Sequence, residues 1–258
     1  MKDAIFALAE NVVKTDFQNI PVEATALAKM FILDTLGAAL AGSTATGCTE
    51  IVRLIKEQGG RTDSSILVFG GKVPAPEAAF ANSAMIHGRD FDDTYEGDVV
   101  AHCNVSVLPA ALALGEKKGV PGKDLLSAVI LGIDLMARLG NAAPLFHGWH
   151  NTSVLGAFGA AAAASRILEL NGEQTVNALG IVFSQTAGNR QGRADGALTK
   201  RMQPAFAARA GVFSALLAER GLTGAQNILQ GPWGFYALYG KQPQKGLDAA
   251  GLARLTDQ

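Results

Sequence analysis

All four histidines of the chain fall in two short windows that also hold other polar groups. His87 and His102 bracket the acidic residues 90–98, and His147 and His150 lie three residues apart further along the chain. Carboxylates and imidazoles that share a site can shift each other's pKa toward neutrality, where proton transfer is efficient. The grouping therefore predicts a polar site that moves protons.

The acidic run, whose carboxylates are Asp90, Asp92, Asp93, Glu96 and Asp98, has three interpretations. It can be a solvated surface loop. Phe91 and the flanking apolar helices favour instead a run held partly inward, where a carboxylate orients His102 or tunes its pKa. The Asp-x-Asp-Asp pattern also resembles acidic motifs that bind Mg²⁺, although the sequence shows no second acidic cluster.

His150 precedes a predicted helix N-terminus, a position that favours anions. One interpretation is a capping or core histidine, and the other is a group that exchanges a proton with a carboxylate substrate. His147 is either its support or merely a neighbour. Because Gly148 lies between the two rings and predicts a loop, the pair does not favour a zinc site.

Lys200 and Arg201 lie at the start of another predicted helix, where positive charge is unfavourable. Two cations at that position indicate an anionic partner. Arg190 and Arg193 add positive charge to the preceding glycine-containing loop.

The elements that must position these side chains are mostly helices. The apolar spacing, with Pro at starts and Gly at stops, predicts a short helix around residues 51–55 before Gly59 and seven longer ones. These cover residues 21–41, 76–84, 105–118, 121–139, 151–170, 173–187 and 200–221. Residues 64–69 form the one predicted strand, at the edge of a hairpin. The sequence predicts an all-α fold with densely packed Ala- and Gly-rich helices and at most a short β-hairpin.

Composition limits the function classes. The 258 residues are 48% hydrophobic with a net charge of −1, which suits one domain over residues 1–258 and gives no basic surface for nucleic acid. Two cysteines without CxxC spacing and an N-terminus unlike a signal peptide predict a cytoplasmic protein. The most apolar stretches are expected to be too short or too rich in Gly and Ala to span a membrane.

Five segments closely resemble the MmgE/PrpD family, which includes 2-methylcitrate dehydratase, cis-aconitate decarboxylase and iminodisuccinate epimerase. They are residues 81–94, 149–156, 199–201, 221–224 and 231–235. The resemblance covers essentially the whole chain. It implies a multi-helix domain followed by a smaller α/β domain, with a cleft between them that needs no metal or cofactor. Residues from about 240 to 258 would lead toward that second domain, which is expected to be absent from this chain and which a separate chain could supply.

The resemblance also implies the site residues. It matches His150, His102, Asp90 and Lys200 to catalytic positions, and Thr94, Lys200, Arg201, His87 and Gln203 are the substrate-binding candidates. The chain departs from the family pattern at Cys103-Asn104, where Pro-Ser is common, and at Gln203, where a histidine often follows the Lys-Arg pair. Family members are usually dimeric through the helical domain, so a homodimer is expected, built on small-residue helix faces such as residues 157–164.

These observations predict a metal-independent lyase or isomerase-type enzyme domain. Its substrates would be small di- or tricarboxylates, and its chemistry would be proton abstraction or donation α to a carboxylate, as in 2-methylcitrate dehydratase. One alternative is a non-catalytic dimerising or regulatory fragment that lacks the second half of the active site. Another is a helical magnesium-dependent diphosphate enzyme, which would need a second metal motif.

Overall fold

The computed structural model describes residues 2–146, 148–242 and 247–256. Over these residues the chain forms twelve α-helices: α1 Ile5–Lys14, α2 Val22–Gly42, α3 Cys48–Gln58, α4 Ala75–Ile86, α5 Asn104–Lys118, α6 Gly122–Ala142, α7 Asn151–Ile167, α8 Gly172–Phe183, α9 Gln191–Ala194, α10 Thr199–Glu219, α11 Phe235–Tyr239 and α12 Ala249–Thr256. Short 3-10 turns occupy Phe17–Asn19 and His87–Arg89. The all-α prediction is confirmed.

Helix α7 is the centre of the bundle and packs against α5, α6, α8 and α10. Its small residues allow this, because a methyl group on Gly159 would lie 2.9 Å from the carbonyl oxygen of Gly132 in α6. On another face, a Cβ at Gly211 of α10 would lie 2.6 Å from the backbone nitrogen of Ala161. Larger side chains at these contacts would push the helices apart, since protein interiors are close-packed.

The first β-hairpin is shorter than predicted, and a second, unpredicted strand pair is present. The predicted strand at residues 64–69 is only β1, Ser64–Ser65, which pairs antiparallel with β2, Lys72–Val73. It ends early because the following residues turn back, with Val68 at a φ of 63°. A second antiparallel pair, β3 Tyr95–Glu96 and β4 Val100–Ala101, lies inside the acidic run, where the sequence analysis predicted only a loop.

Two helices contradict the expectation that every apolar stretch is too short or too Gly- and Ala-rich to span a membrane. By length and composition alone, α2 and α6 qualify. Helix α6 packs one face into the core, as a helix of a soluble bundle does. Helix α2 keeps several large apolar side chains exposed, namely Val22, Leu27, Met30, Phe31, Leu33 and Leu40.

The surface expected for a homodimer lies inside the molecule. Residues 157–164 are all buried, because α7 is surrounded by its neighbours. That location for a dimer interface is wrong, since the alanines pack helices within one chain.

Candidate active site

Four helix ends meet at one place. His87 follows the last residue of α4, and His102 and His150 lie just before α5 and α7. Lys200 is in the first turn of α10. The ring of His87 lies 5.0 Å from that of His102 and 6.1 Å from that of His150, measured between centroids. The structure therefore brings together four residues that the sequence separates by up to 113 positions.

A cavity of about 650 Å³ opens at this place. Its wall carries four cations and two carboxylates among the residues Asp90, Asp98, Val99, Val100, His102, Pro144, Leu145, Trp149, His150, Asn151, Thr152, Asn189, Arg190, Arg193, Lys200 and Lys241. The N-termini of α5, α7 and α10 add partial positive charge. This excess of positive groups suits an anionic ligand.

His87 is fully buried and both of its ring nitrogens are hydrogen-bonded. Nδ1 lies 2.9 Å and 3.0 Å from the two carboxylate oxygens of buried Asp92, which can only accept. Nε2 lies 3.1 Å from Nζ of Lys200, which donates. The pattern is that of a neutral imidazole with its proton on Nδ1, so His87 holds Lys200 in place and does not line the cavity.

His102 has the same tautomer for a different reason. Its Nδ1 lies 3.0 Å from the carbonyl oxygen of Asp93 and 3.2 Å from that of Asp92, and carbonyl oxygens accept only. Nδ1 must therefore donate, which leaves Nε2 with the lone pair in the neutral ring. Because His102 lines the cavity, it is available as a base or as a hydrogen-bond acceptor.

Asp90 is held in an unusual backbone conformation, with a φ of 59° in the left-handed region. Its carboxylate accepts a hydrogen bond from Lys200. Partial burial alone would raise the pKa of Asp90, but the hydrogen bond and charge of Lys200, with smaller contributions from His87 and His102, lower it. Asp90 therefore stays ionised and fixes the position of the lysine.

The rest of the acidic run divides into buried and exposed residues. Asp93 accepts hydrogen bonds from the backbone N–H groups of Cys103 and Asn104 and so caps α5. Burial and the charge of Asp92 raise the pKa of Asp93, which these hydrogen bonds oppose. A proline at position 103, as in the family pattern, would remove one of those donors.

The prediction of a run held partly inward is confirmed for two of its five carboxylates but not for its aromatic residue. Asp92 and Asp93 lie inside, whereas Phe91 is 58% exposed. Thr94, a substrate-binding candidate, is exposed and is not among the residues that line the cavity.

His150 lies at the N-terminus of α7, as the sequence predicts. The N-cap is His150 itself, without a side-chain capping bond. Thr152 accepts a hydrogen bond from the backbone nitrogen of His102, and Ser153 donates to the carbonyls of Ala187 and Gln203. These two side chains tie α7 to the neighbouring histidine loop and to α10.

The pKa of His150 is lowered to about 4. Burial is the main cause, followed by the electrostatic contributions of His87 and Lys200, while the Gln203 side chain opposes the shift. His150 is therefore neutral at pH 7 and can accept a proton. His147, its proposed support, lies outside the described residues.

Two further candidates lie away from the cavity wall. Arg201 donates to the carbonyl oxygen of Gly88 at 2.7 Å and lines a separate pocket beside Cys48. Gln203 is 5% exposed and donates from Nε2 to the carbonyl oxygen of Asn189 at 2.9 Å. The internal contacts of Lys200 and Arg201 show that cations at a helix start can be satisfied within the protein.

The sequence analysis missed several residues of the cavity wall. Lys241 adds a cation from the segment after α11, and Asn189 lies opposite Trp149 in an isolated β-bridge. Trp149 also packs on Tyr239, with ring centroids 4.7 Å apart. The signal for Trp149 was its place beside His150, but nothing local in the sequence marks Lys241.

One group could in principle hold a metal ion. Ligand atoms of His87, Asp92 and His102 lie within 4.8 Å of one another. The distance of 2.9 Å between Nδ1 of His87 and the Asp92 carboxylate is shorter than the ~3.3 Å that separates two ligands of a tetrahedral zinc ion with ~2.0 Å bonds. The geometry is that of a hydrogen-bonded network.

Comparison with known proteins identifies the relatives. The chain is 34% identical over 244 residues to cis-aconitate decarboxylase of Homo sapiens, covering 89% of this chain and 49% of that protein. It is 31% identical over 225 residues to cis-aconitate decarboxylase of Aspergillus terreus, covering 84% of this chain and 46% of that protein. The cis-aconitate decarboxylase-like protein oryM of Aspergillus oryzae is 31% identical over 242 residues, covering 88% and 50%.

The chain thus spans about half the length of the curated relatives that it matches. The model of the MmgE/PrpD N-terminal domain matches residues 7–248, nearly the whole of the described structure. Because a match of this extent shows the family, the chain belongs to the MmgE/PrpD family and corresponds to its N-terminal domain.

Proposed function

We propose that the chain is the helical half of a lyase that acts on small di- or tricarboxylates by proton transfer α to a carboxylate. The observation that carries the proposal is the cavity, where a neutral histidine of low pKa faces a wall rich in cations. The names of the relatives favour an unsaturated tricarboxylate such as cis-aconitate as the first substrate to test.

In the proposed chemistry, the cations bind the substrate and the histidines transfer protons. Lys200, Arg193 and Lys241 bind substrate carboxylates, and the pairing with cations stabilises the negative charge that develops at the α-carbon. In a dehydration, His150 takes the α-proton, and the hydroxyl group on the adjacent carbon leaves as water with a proton from solvent. In an epimerisation, His150 takes the α-proton, and a proton then returns to the opposite face of the same carbon. In a decarboxylation, the bond to one carboxylate breaks, CO₂ leaves, and the remaining carbon receives a proton from protonated His150.

Binding of a polyanionic substrate would help His150 to change from a proton acceptor to a proton donor. The contribution of the Lys200 charge to the low pKa of His150 is offset when substrate carboxylates lie beside that lysine. His102, with a free lone pair on Nε2, is the second proton acceptor at the cavity. Asp90 and His87 act by holding Lys200.

The test pairs the chain with a chain that carries a complementary second domain. Release of CO₂ from cis-aconitate, and loss of substrate, are followed by NMR. Lys200→Ala should weaken cis-aconitate binding by about one to two decades, equivalent to about 1.5–3 kcal/mol for a lost charge-assisted contact. Turnover of cis-aconitate or a related polycarboxylate supports the proposal.

The matched control is Lys118→Ala, which removes a lysine whose ion pair with Glu219 lies at the far end of α5. It should leave cis-aconitate affinity unchanged. Equal loss in both variants would show a general charge effect, and no loss in Lys200→Ala would remove Lys200 from the site. Little or no turnover is expected from the 258 residues tested alone, because they span only about half the length of the curated relatives.

We also propose a cytoplasmic homodimer whose interface includes the exposed apolar face of α2. A large exposed apolar patch usually marks a contact surface. Sedimentation velocity at micromolar concentration should give twice 26.7 kDa. Leu33→Glu should shift the protein toward monomer, whereas Leu222→Glu, an exposed apolar position outside α2, should not.

A further inference from the structure

Several buried polar atoms beside the cavity have no hydrogen-bond partner that meets strict geometry, Oδ1 of the cavity-lining Asn151 among them. Two of these atoms lie on side chains that the backbone holds close together, namely Nδ1 of His150 and Oε1 of Gln203. Buried polar side-chain atoms are nearly always hydrogen-bonded, so a pair of such atoms on neighbouring residues calls for an explanation. One atom is an obligatory acceptor, and the other can donate if it carries the proton of the imidazole.

The orientation of the Gln203 amide is fixed by its other end. Nε2 donates to the carbonyl oxygen of Asn189 at 2.9 Å. A flipped amide would place Oε1 against that carbonyl, and two acceptors would face each other. Gln203 is also 95% buried, so its Oε1 has little access to solvent as an alternative donor.

The backbone brings the two side chains together. The backbone nitrogen of His150 donates to the carbonyl oxygen of Gly188 at 3.2 Å. A Cβ atom at Gly188 would lie 3.1 Å from Oε1 of Gln203, so Gly188 is close to both side chains. Ser153, three residues after His150, donates to the backbone oxygen of Gln203 at 2.9 Å. The Gln203 side chain also favours the protonated form of His150, as an acceptor near the ring does.

We propose that Gln203 is a positioning residue whose Oε1 accepts the proton on Nδ1 of His150. This contact holds the ring in the Nδ1–H tautomer and leaves the lone pair on Nε2, which is then the nitrogen that His150 can offer to the cavity. Gln203 then acts through His150 and does not touch substrate, which revises its place among the substrate-binding candidates. The catalytic consequence rests on the proposed function, but the tautomer does not.

The first test is the tautomer in the chain itself. With ¹⁵N-labelled histidine, NMR distinguishes a protonated ring nitrogen from one with a lone pair, and loss of one signal in His150→Asn assigns the resonances. Above pH 7 the wild-type ring should be protonated on Nδ1. Gln203→Leu should give a mixture of tautomers, and Gln203→Glu should raise the pKa of His150 by adding a negative charge.

The matched control is Gln185→Leu, because Gln185 lines the same small pocket but donates to Ser214. It should leave the His150 signals unchanged. A wild-type ring protonated on Nε2, or an unchanged tautomer in Gln203→Leu, would overturn the proposal. If Gln203→Leu does not fold, the wild-type tautomer and the pKa in Gln203→Glu decide the question.

Kinetics of the reconstituted enzyme separate positioning from substrate binding. Loss of an orienting partner for a catalytic histidine costs up to about 10⁴ in kcat when that partner is a carboxylate, so a neutral amide should matter about 10- to 100-fold. Gln203→Leu should lower kcat with little change in KM. A higher KM with unchanged kcat would overturn the proposal. Absence of turnover in every protein, wild type included, would count against the proposed function, while the NMR signals still decide the tautomer.

Discussion

His87 and His150 lie near Lys200 with ring centroids 6.1 Å apart, yet their surroundings differ. His87 is fully buried, and Asp92 and Lys200 occupy both of its ring nitrogens. His150 lines the cavity, and its pKa is lowered to about 4, first by burial and then by the electrostatic contributions of His87 and Lys200. An imidazole with both nitrogens engaged supports the architecture, and one with a nitrogen facing the cavity is available for proton transfer.

Substitution of His150 should cause the largest change, a loss of catalytic rate. His150→Asn should lower kcat of the reconstituted enzyme by about two to four decades, the usual cost of losing a general acid or base. The fold should remain, because Asn is a favourable N-cap for α7. Steady-state kinetics with circular dichroism measures both. Turnover close to the wild-type rate would remove His150 from the reaction and would shift attention to His102.

A smaller effect is the dependence of stability on pH. The unfolded chain protonates His150 near pH 6.5, but the folded protein does so only near pH 4. Between these values the unfolded state binds more protons, so this contribution to stability is complete above pH 6.5 and is lost as the pH falls toward 4. The separation corresponds to at most about 3 kcal/mol, reduced by the partial exposure of the ring.

Urea denaturation at intervals from pH 7.5 to 4.5 should show this loss. The difference in unfolding free energy between wild type and His150→Asn isolates it from the titration of carboxylates. His150→Asn should have the flatter profile. Parallel profiles for the two proteins would mean that His150 titrates normally and would remove the contrast with its neighbours.

A further prediction concerns the hydrogen bond between His87 and Asp92 and its contribution to stability. Asp92→Ala should destabilise the protein by about 2 kcal/mol, because it leaves the buried Nδ1–H of His87 without an acceptor. Glu96→Ala, at an exposed position of the same loop, should change stability by less than about 0.5 kcal/mol. Thermal melts compare the two. An Asp92→Ala protein as stable as wild type would show that the network contributes little to the fold.

Local sequence patterns predicted α2 to α8 and α10, because Pro and Gly mark their ends and the apolar spacing marks their buried faces, but they did not predict α1, α9 or α11. They also placed His87, His102, His150 and Lys200 at helix ends. Patterns cannot say which ends meet, and that depends on close packing at glycines such as Gly159 and Gly211. The family resemblance, not the periodicity, joined these residues into one site before the structure did.

The predictions that were wrong also failed because they depended on how the helices pack. Arg201 follows Lys200 directly, but one residue turns a helix by about 100°, so its guanidinium reaches Gly88 on another side of α10. The alanines at 157–164 looked like an interface for a partner chain, and only tertiary packing shows that neighbouring helices already cover them. The sequence did not reveal that one face of α2 is exposed, because the apolar residues of this helix fit a buried helix equally well.

The smallest expected effect concerns metal. His87, Asp92 and His102 offer ligand atoms within 4.8 Å, so an ion could in principle replace the hydrogen bonds that distinguish His87 from His150. Both His87 Nδ1 and His102 Nδ1 face acceptors, however, and must keep their protons to satisfy them. Dialysis against EDTA should therefore change the unfolding free energy by less than about 0.5 kcal/mol. A large fall in melting temperature that Zn²⁺ or Mg²⁺ restores would show instead that these three residues bind an ion, and that His87 supports the fold as a ligand and not as a hydrogen-bonded imidazole.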